Sequence, residues 1–273
     1  MAVRLPNEQS ALTVQVSDFE LRDLGTSFGV TAAPEGRVDF AVLDGKVAVT
    51  KRSESPRPQE QIFVEGEAFS ASAENSVRNK MPFEPERYQD IWPLTVGINE
   101  LSNVIDFVVP GATNPLGDLT DDHKLFLIPE QLNCRLDRPV ELSLIRPGQT
   151  WPQASVSPVK LPSRENIRSY LLVYQPQSSR FGKRISLSGS VEFERPILGV
   201  AATRSQLEST DEPFGLKTID NGKLAYRYLE ERDSERGELP ADTISIDPSG
   251  HRLFFHLSVG AGKDHLRVLV QGD

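Results

Sequence analysis

The sequence predicts an all-β protein with two parts, a small β domain over residues 1–80 and a β-sandwich or jelly roll over residues 88–273. Short apolar runs alternate with polar residues at period two, which is typical of strands with one buried face. Turn signals that contain Gly or Pro separate these runs at short intervals, as they do in sandwiches. Helical patterning is confined to residues 204–208, where Thr203 is a candidate N-cap.

The N-terminal part is organised around residues 21–50, where two alternating apolar runs flank Asp44-Gly45. Asp-Gly between such runs favours a type I′ turn, because glycine adopts positive φ at little steric cost. We therefore predict a tight hairpin at Asp44-Gly45. Gly25 interrupts an earlier strand-like run and suggests a bulge or a close backbone approach.

Further elements of this part follow from the same alternation. Residues 12–16 form a first strand, and residues 62–71 form a strand pair or one strand bent around Gly66. Residues 51–60 are a polar connection that contains proline, and residues 74–87 are the predicted domain boundary.

The C-terminal part begins near Tyr88 and carries many short strand-like runs. These runs are 91–96, 104–109, 125–128, 140–145, 170–174, 184–193, 197–200, 224–228, 243–246, 252–259 and 266–270. Their number and the frequent turns between them favour a sandwich or jelly roll.

Composition excludes several classes of protein. The net charge is −9 with the acidic residues spread along the chain, which argues against a nucleic-acid binder because phosphates require a basic surface. The single cysteine, Cys134, cannot form an internal disulfide and is either a small buried apolar residue, the favoured interpretation, or a reactive thiol. No apolar run reaches the roughly 18 residues of a membrane-spanning helix, and the first residues lack the apolar core of a signal peptide.

Three ordered elements of the N-terminal part carry a family resemblance: a DLGTxFxV run, a VxDGxV run and a VxGEA element. Their residues are Asp23, Leu24, Gly25, Thr26, Phe28 and Val30, then Val42, Asp44, Gly45 and Val47, then Val64, Gly66, Glu67 and Ala68. Over about residues 10–75 the chain resembles the second half of a FecR-like (iron-dicitrate regulator) domain. The resemblance implies a β fold in which the motif residues are turn and core positions, and an extracytoplasmic role in contacting other proteins.

A second resemblance covers about residues 169–270, through the runs 169–176, 187–200 and 242–270. These runs are similar to a β-sandwich module of secreted bacterial proteins, including proteins with PEP-CTERM-type sorting tails, and the resemblance implies no catalytic residues. Both resemblances lead us to expect a periplasmic or extracellular protein whose export signal or membrane anchor lies upstream of residue 1.

A half domain would leave apolar strand faces uncovered and a strand edge unpaired. The faces in question carry Phe28, Val30, Val38, Phe40, Val47 and Val49. We therefore expect residues 1–80 to require docking on the second part or pairing with another chain, and residues 88–273 to fold alone. Strand addition by another envelope protein is the expected mode of partner binding.

The histidines do not form a metal or catalytic motif. Along residues 252–259 the alternation places Leu253 on the buried face and His256 on the other face, and it likewise places His265 and Arg267 outward on the last strand. A last hairpin around residues 260–264 would bring His256 near Arg267, and a cationic neighbour favours a structural role over metal binding.

Paired carboxylates are candidates for glycoside hydrolysis, which needs two carboxyl groups about 5–10 Å apart. Glu192 and Glu194 are two positions apart, which along a strand corresponds to roughly 6.6 Å. A solvated strand face produces the same pattern, and that interpretation is favoured. Glu230, Glu231 and Asp233 belong to a highly charged loop that we interpret as solvated.

The loop at residues 114–122 concentrates oxygen ligands at Asn114, Asp118, Asp121 and Asp122. Calcium binds six to eight such oxygens, so these residues are a candidate calcium site. Asn and Asp also stabilise turns by local hydrogen bonds, which is the alternative. No other cofactor is predicted.

The predicted function is that of a non-catalytic, exported binding or signalling module of the bacterial cell envelope, with another envelope protein as partner. The alternative is a carbohydrate-binding module or a glycoside hydrolase on a β-sandwich. Carbohydrate-binding sandwiches usually expose aromatic residues on a flat face, whereas Trp92 and Trp151 each precede a proline and are interpreted as core or loop positions.

Overall fold

The protein is all-β, as the sequence predicts, and most of its strand pairs are antiparallel. The computed structural model describes residues 2–4, 12–23, 27–32, 36–52, 60–72, 79–110, 116–117, 119–153, 157–177, 184–216, 228–229 and 242–272. The chain divides into two compact units, an N-terminal unit (Met1–Thr95) and a C-terminal unit (Val96–Asp273). No helix among the described residues is long and apolar enough to cross a membrane.

The described part of the N-terminal unit contains two antiparallel sheets. Its strands are β1 (Ala2–Arg4), β2 (Thr13–Val16), β3 (Phe19–Asp23), β4 (Ser27–Ala32), β5 (Arg37–Asp44), β6 (Lys46–Lys51), β7 (Glu60–Val64), β8 (Ala68–Ser72) and β9 (Asn79–Met81). Sheet A has the order β1-β4-β5-β8-β9, and sheet B has the order β2-β3-β6-β7.

Strands that follow each other in sequence lie in different sheets. β5 pairs with β4 and β8 in sheet A, whereas β6, which follows after Gly45 alone, pairs with β3 and β7 in sheet B. The predicted hairpin at Asp44-Gly45 is therefore wrong. A hairpin would place the apolar residues of both strands side by side on one face, whereas the crossing sets the two faces against each other and lets the chain bury both.

The crossing is a glycine corner, and a second such corner follows two strands later. Gly45 has a φ of 81° and Gly66, between β7 and β8, has a φ of 77°. The two corners are hydrogen-bonded to each other, because Glu65 N–H donates to Gly45 O at 3.1 Å and Gly66 N–H donates to Val42 O at 3.0 Å. β5–β6 and β7–β8 thus form one long antiparallel ribbon that is folded in the middle. The predicted bend around Gly66 lies at this fold.

The two sheets enclose a core of their own. The core consists of Val14, Phe19, Leu21, Phe28, Val30, Val38, Phe40, Val42, Val47, Val49, Phe63, Phe69 and Ala71. Phe40 lies at its centre, with its ring 4.7 Å from that of Phe69 and 6.0 Å from that of Phe19. The apolar faces of β4, β5 and β6 were expected to need a second domain or another chain to cover them. That expectation is wrong, because sheet B covers sheet A from within the same unit.

The segment after β9 belongs to the N-terminal unit and not to the next domain. It contains a 3-10 helix (Pro85–Tyr88) and the short helix α1 (Trp92–Thr95), so the strand predicted at residues 91–96 is wrong. Pro93 cannot donate a ladder hydrogen bond but is tolerated in a first helical turn. Tyr88 lies over β4 so closely that a Cβ at Gly29 would collide with its ring, and Trp92 is buried.

The described part of the C-terminal unit has two larger sheets and a two-stranded ribbon. Its strands are β10 (Ile98–Leu101), β11 (Ile105–Phe107), β12 (Leu125–Arg135), β13 (Val140–Leu144), β14 (Thr150–Trp151), β15 (Ser157–Leu161), β16 (Asn166–Tyr174), β17 (Ile185–Phe193), β18 (Ile197–Ala201), β19 (Thr243–Ile246), β20 (Arg252–Val259) and β21 (Asp264–Gln271). Sheet C has the order β10-β17-β20-β19-β14, sheet D has the order β11-β12-β16-β21-β18, and β13 pairs with β15. Most of the predicted strand at residues 224–228 lies outside the described residues.

Sheets C and D also separate strands that are neighbours in sequence. β20 pairs with β17 and β19, whereas β21 pairs with β16 and β18. The predicted last hairpin is therefore wrong, and His256 and Arg267 lie in different sheets. The inner faces meet in the core, where the ring centroids of Tyr170 and Phe193 are 5.1 Å apart.

One helix covers the outer face of sheet D. α2 (Arg204–Phe214) begins at the predicted N-cap, since Thr203 Oγ1 accepts from Gln206 N–H and Gln206 Oε1 accepts from Thr203 N–H. Its apolar residues Leu207 and Phe214 pack with Leu269 of β21. The predicted helix is confirmed and is longer than the sequence indicated.

The helix α2 buries an ion pair on this face of sheet D. Its cation is Arg267, which alternation alone places on the outward face. Arg267 is fully buried, with Nε 2.6 Å from Glu130 Oε2 and Nη1 2.9 Å from Asp211 Oδ1 on α2. Burial raises the pKa of the Glu130 carboxyl, and the Arg267 guanidinium opposes that shift. His265 is also buried, and burial together with the charges of Lys263 and Arg267 lowers its pKa to about 4. The predicted outward positions of His265 and Arg267 are correct for the sheet, and both residues are nevertheless buried because α2 and its neighbours cover this face.

We expect Gly45→Val to destabilise the N-terminal unit by about 1–3 kcal/mol, since a β-branched residue is strained at positive φ. Gly45→Asn is the control, because Asn tolerates this conformation better. The measurement is chemical denaturation of both variants. Equal stability of the valine variant and the natural protein would contradict the corner geometry.

We expect residues 1–95 expressed alone to fold cooperatively, because their described core is complete within the unit. Circular dichroism during thermal unfolding checks this, with the full chain as the reference. A fragment without a cooperative transition would show that the core depends on residues beyond Thr95.

We expect Glu130→Leu to destabilise the protein by about 3–5 kcal/mol, because it leaves a buried guanidinium without its main partner. The double variant Glu130→Leu with Arg267→Met should recover much of this loss, because it removes both buried charges. Glu208→Gln is the matched control at the exposed Arg204–Glu208 pair and should leave stability unchanged. A small loss in Glu130→Leu would mean that the pair is not desolvated as described.

Candidate functional site

The candidate site is the edge of sheet B at β7. β7 pairs with β6 on one side, with Lys46 opposite Val64 and Ala48 opposite Ile62. On its other side no strand pairs with it among the described residues. An edge strand presents backbone N–H and C=O groups that can pair with another chain.

From Ile62 to Val64 the side chains of β7 alternate between solvent and core, although all three residues are apolar. Phe63 points into the core and is buried, whereas Ile62 is 56% and Val64 42% exposed. Beside them on the outer face, Arg22 donates to both oxygens of Glu60 at 2.9 and 2.8 Å. The strand thus shows two branched aliphatic side chains to solvent, where natural edge strands commonly carry charge.

A groove of about 190 Å³ lies beside β7, where the edges of the two sheets approach each other. It is lined by Gln61, Ile62, Phe63, Glu67, Ala68, Phe69 and Lys80. The Phe63 and Phe69 rings are stacked with centroids 4.0 Å apart and form its apolar part. The groove therefore joins a surface of mixed polarity, with two aromatic rings at its base, to an open strand edge.

Glu67 bonds both backbone groups of Val64 and thereby closes this part of the β7 edge. Its Oε2 accepts from Val64 N–H at 3.1 Å, its N–H donates to Val64 O at 3.1 Å, and its Oε1 lies 3.4 Å from Lys80 Nζ. Glu65 N–H points the other way, towards Gly45 O. Because backbone groups alternate along a strand, those of Ile62 point to the same open edge as those of Val64, and no residue that the structure describes caps them.

The predicted family motifs lie partly in this site. Phe28 is in the core, Gly45 and Gly66 form the corners, Asp23 ends β3 and Asp44 ends β5, whereas Leu24, Gly25 and Thr26 lie outside the described residues. Glu67 and Ala68 of the third element line the groove. Ile62, Phe63 and Lys80 were not singled out from the sequence, although three successive apolar residues from Ile62 to Val64 leave no polar face on this strand.

The candidate calcium residues are only partly described. Asn114 and Asp118 lie outside the described residues. Asp121 Oδ1 accepts from His123 N–H at 2.6 Å within its own turn, and Asp122 Oδ1 accepts from Gln177 N–H at 2.9 Å in a segment that is distant in sequence. Among the residues that the structure describes, no group of three or more His, Cys, Asp or Glu side chains is arranged to hold a metal ion.

One member of the predicted carboxylate pair, Glu192, is bonded to an arginine. Glu192 forms an ion pair with Arg252, which also contacts Glu100 at 2.7 Å, and Glu194 lies beyond the end of β17. Glu230, Glu231 and Asp233 lie outside the described residues.

The remaining candidates have structural contacts. His256 Nδ1 lies 2.7 Å from Ser188 Oγ on the outer face of sheet C. Cys134 is half-buried, and its Sγ donates to Pro213 O at 3.2 Å at the end of α2. Trp92 and Trp151 are buried, so neither provides a surface for stacking.

Comparison of the chain with protein-family models, curated proteins and solved structures finds no match.

Proposed function

We propose that the chain is a non-catalytic binding module that accepts an extended segment of another protein as an added strand along β7. The observation that carries the proposal is the open edge at Ile62 next to the Phe63–Phe69 groove. Strand addition supplies main-chain hydrogen bonds for affinity and side-chain pockets for specificity.

The geometry indicates what the added segment needs. Its backbone would pair with the open groups of Ile62, and one of its side chains would enter the groove onto Phe63 and Phe69. Its opposite face would lie beside the exposed Ile62 and Val64 side chains. A segment that is apolar on both faces at its centre satisfies these requirements, and Glu67 limits the pairing at the end near Val64.

The setting that we propose is the bacterial cell envelope, on the resemblance of the N-terminal part to FecR-like domains and of the C-terminal part to secreted sandwich modules. Contact with another protein through a strand edge suits such an extracytoplasmic signalling role. The Glu192 carboxylate is bonded to Arg252, which supports a non-catalytic role. Fractionation of cells that express the natural gene tests the setting, and recovery in the cytosol would contradict it.

The binding mode is tested with peptides selected against the full chain from a displayed random library. We expect the selected peptides to be extended, to slow amide hydrogen exchange at Ile62, and to bind about tenfold more weakly to Ile62→Lys, because a lysine blunts an edge strand. Thr13→Lys is the matched control, since it places the same charge on β2 at the opposite edge of sheet B. Equal binding to natural protein and Ile62→Lys, or protection elsewhere in the chain, would overturn the proposal.

A further inference from the structure

A second surface, independent of the β7 edge, lies on the outer face of sheet C. The register aligns its outward side chains in rows across the strands. One row reads Ser190, Phe254, Ser245 and Thr150, the next reads Ser188, His256 and Thr243, and a third joins Glu192 to Arg252. The face is therefore made of hydroxyl groups around one aromatic ring.

The Phe254 ring is exposed to solvent, whereas Trp92 and Trp151 are buried. Phe254 is 44% exposed, although its neighbours along β20, Leu253 and Phe255, are buried in the core. A serine lies opposite it on each adjacent strand, Ser190 on β17 and Ser245 on β19. Small neighbours leave the ring accessible from above.

The polar groups around the ring are held in place. Ser102 Oγ accepts from Ser190 N–H at 2.7 Å and lies 3.4 Å from Ser190 Oγ. Ser188 Oγ lies 2.7 Å from His256 Nδ1. Each hydroxyl is both a donor and an acceptor, so these groups retain capacity to bond a ligand.

The charges on this face argue against a polyanion. Arg252 is shared between Glu100 and Glu192, so the described charges of this group sum to one negative charge. The whole chain has a net charge of −9. Nucleic acids and acidic polysaccharides would be repelled, whereas a neutral ligand would not.

The face also does not suit a protein partner. The centre of a protein interface is usually a contiguous apolar patch with few charges, and here one ring stands among hydroxyls. A sugar has the complementary pattern, with an apolar C–H face for an aromatic ring and hydroxyls at its rim that both donate and accept. The opposite side of this unit, the outer face of sheet D, is closed by α2.

We propose that the outer face of sheet C binds a neutral polysaccharide, with Phe254 stacked against one sugar ring and the surrounding serine and threonine hydroxyls bonded to its neighbours. Five strands spaced by about 4.8 Å make a surface about 19 Å wide, which suits several sugars of a chain. Weak contacts repeated along the polymer supply the affinity.

The test is affinity electrophoresis of the full chain in gels that contain soluble neutral polysaccharides, namely hydroxyethylcellulose, mixed-linkage glucan, xylan, galactomannan and starch, together with pull-down on cellulose and chitin. We expect retention on at least one of them and about tenfold weaker retention of Phe254→Ser, the factor expected for loss of one stacked ring. Leu94→Ser is the matched control, because it removes an exposed apolar side chain of the N-terminal unit that lies outside both proposed surfaces, and it should be retained like the natural protein.

A second variant, Ser245→Lys, keeps the ring but places a long charged side chain beside it, and it should also lose retention. Thermal unfolding of each variant shows that the loss does not come from unfolding. Absence of retention on all the neutral polymers would overturn the proposal, as would unchanged retention of Phe254→Ser or stronger retention on polygalacturonate. Because Ile62→Lys leaves this face intact, failure here is distinguishable from failure of strand addition at β7.

Discussion

The structure depends on one constraint, that each sheet must cover the apolar face of the other. The chain meets this constraint by crossing between sheets where the sequence suggests a hairpin, at Gly45, at Gly66 and between β20 and β21. Each crossing moves the next strand opposite the previous one, so that Phe40 and Val42 face Val47 and Val49 across the core. The same crossings leave β7 at the end of its sheet, which creates the open edge.

Burial of charge makes the two faces of the C-terminal unit unequal. Arg267 is held by Glu130 within sheet D and by Asp211 on α2, and a buried guanidinium is stable only while its partners remain in place. The helix is thus tied to this face by a polar contact as well as by Leu207 and Phe214. On sheet C, by contrast, Phe254 is 44% exposed, and its outer face is the one that we propose to bind a ligand.

The two surfaces differ in the chemistry they can recognise. The β7 edge combines backbone groups that face away from β6 with a groove of mixed polarity, which suits a peptide chain because only another backbone provides a matching ladder. The sheet C face has its backbone groups paired within the sheet and offers only side chains, so shape and hydroxyl pattern decide what it binds. A module with both surfaces could hold a protein partner while attached to a polysaccharide.

Period-two alternation determined the all-β class, most strand positions and the buried faces of β20 and β21, because side-chain direction along a strand is a local property. The capping residue Thr203 likewise identified the start of α2, since a cap is satisfied within one turn. Strand pairing was decided only by the tertiary structure. The residues Asp44-Gly45 are locally compatible both with a hairpin and with a corner between sheets. The corner is selected because it lets the chain bury the apolar faces of both strands. The exposure of Ile62 and Phe254 and the burial of Arg267 also came from tertiary structure, since they depend on which sheet edge stays open and which sheet face receives a helix.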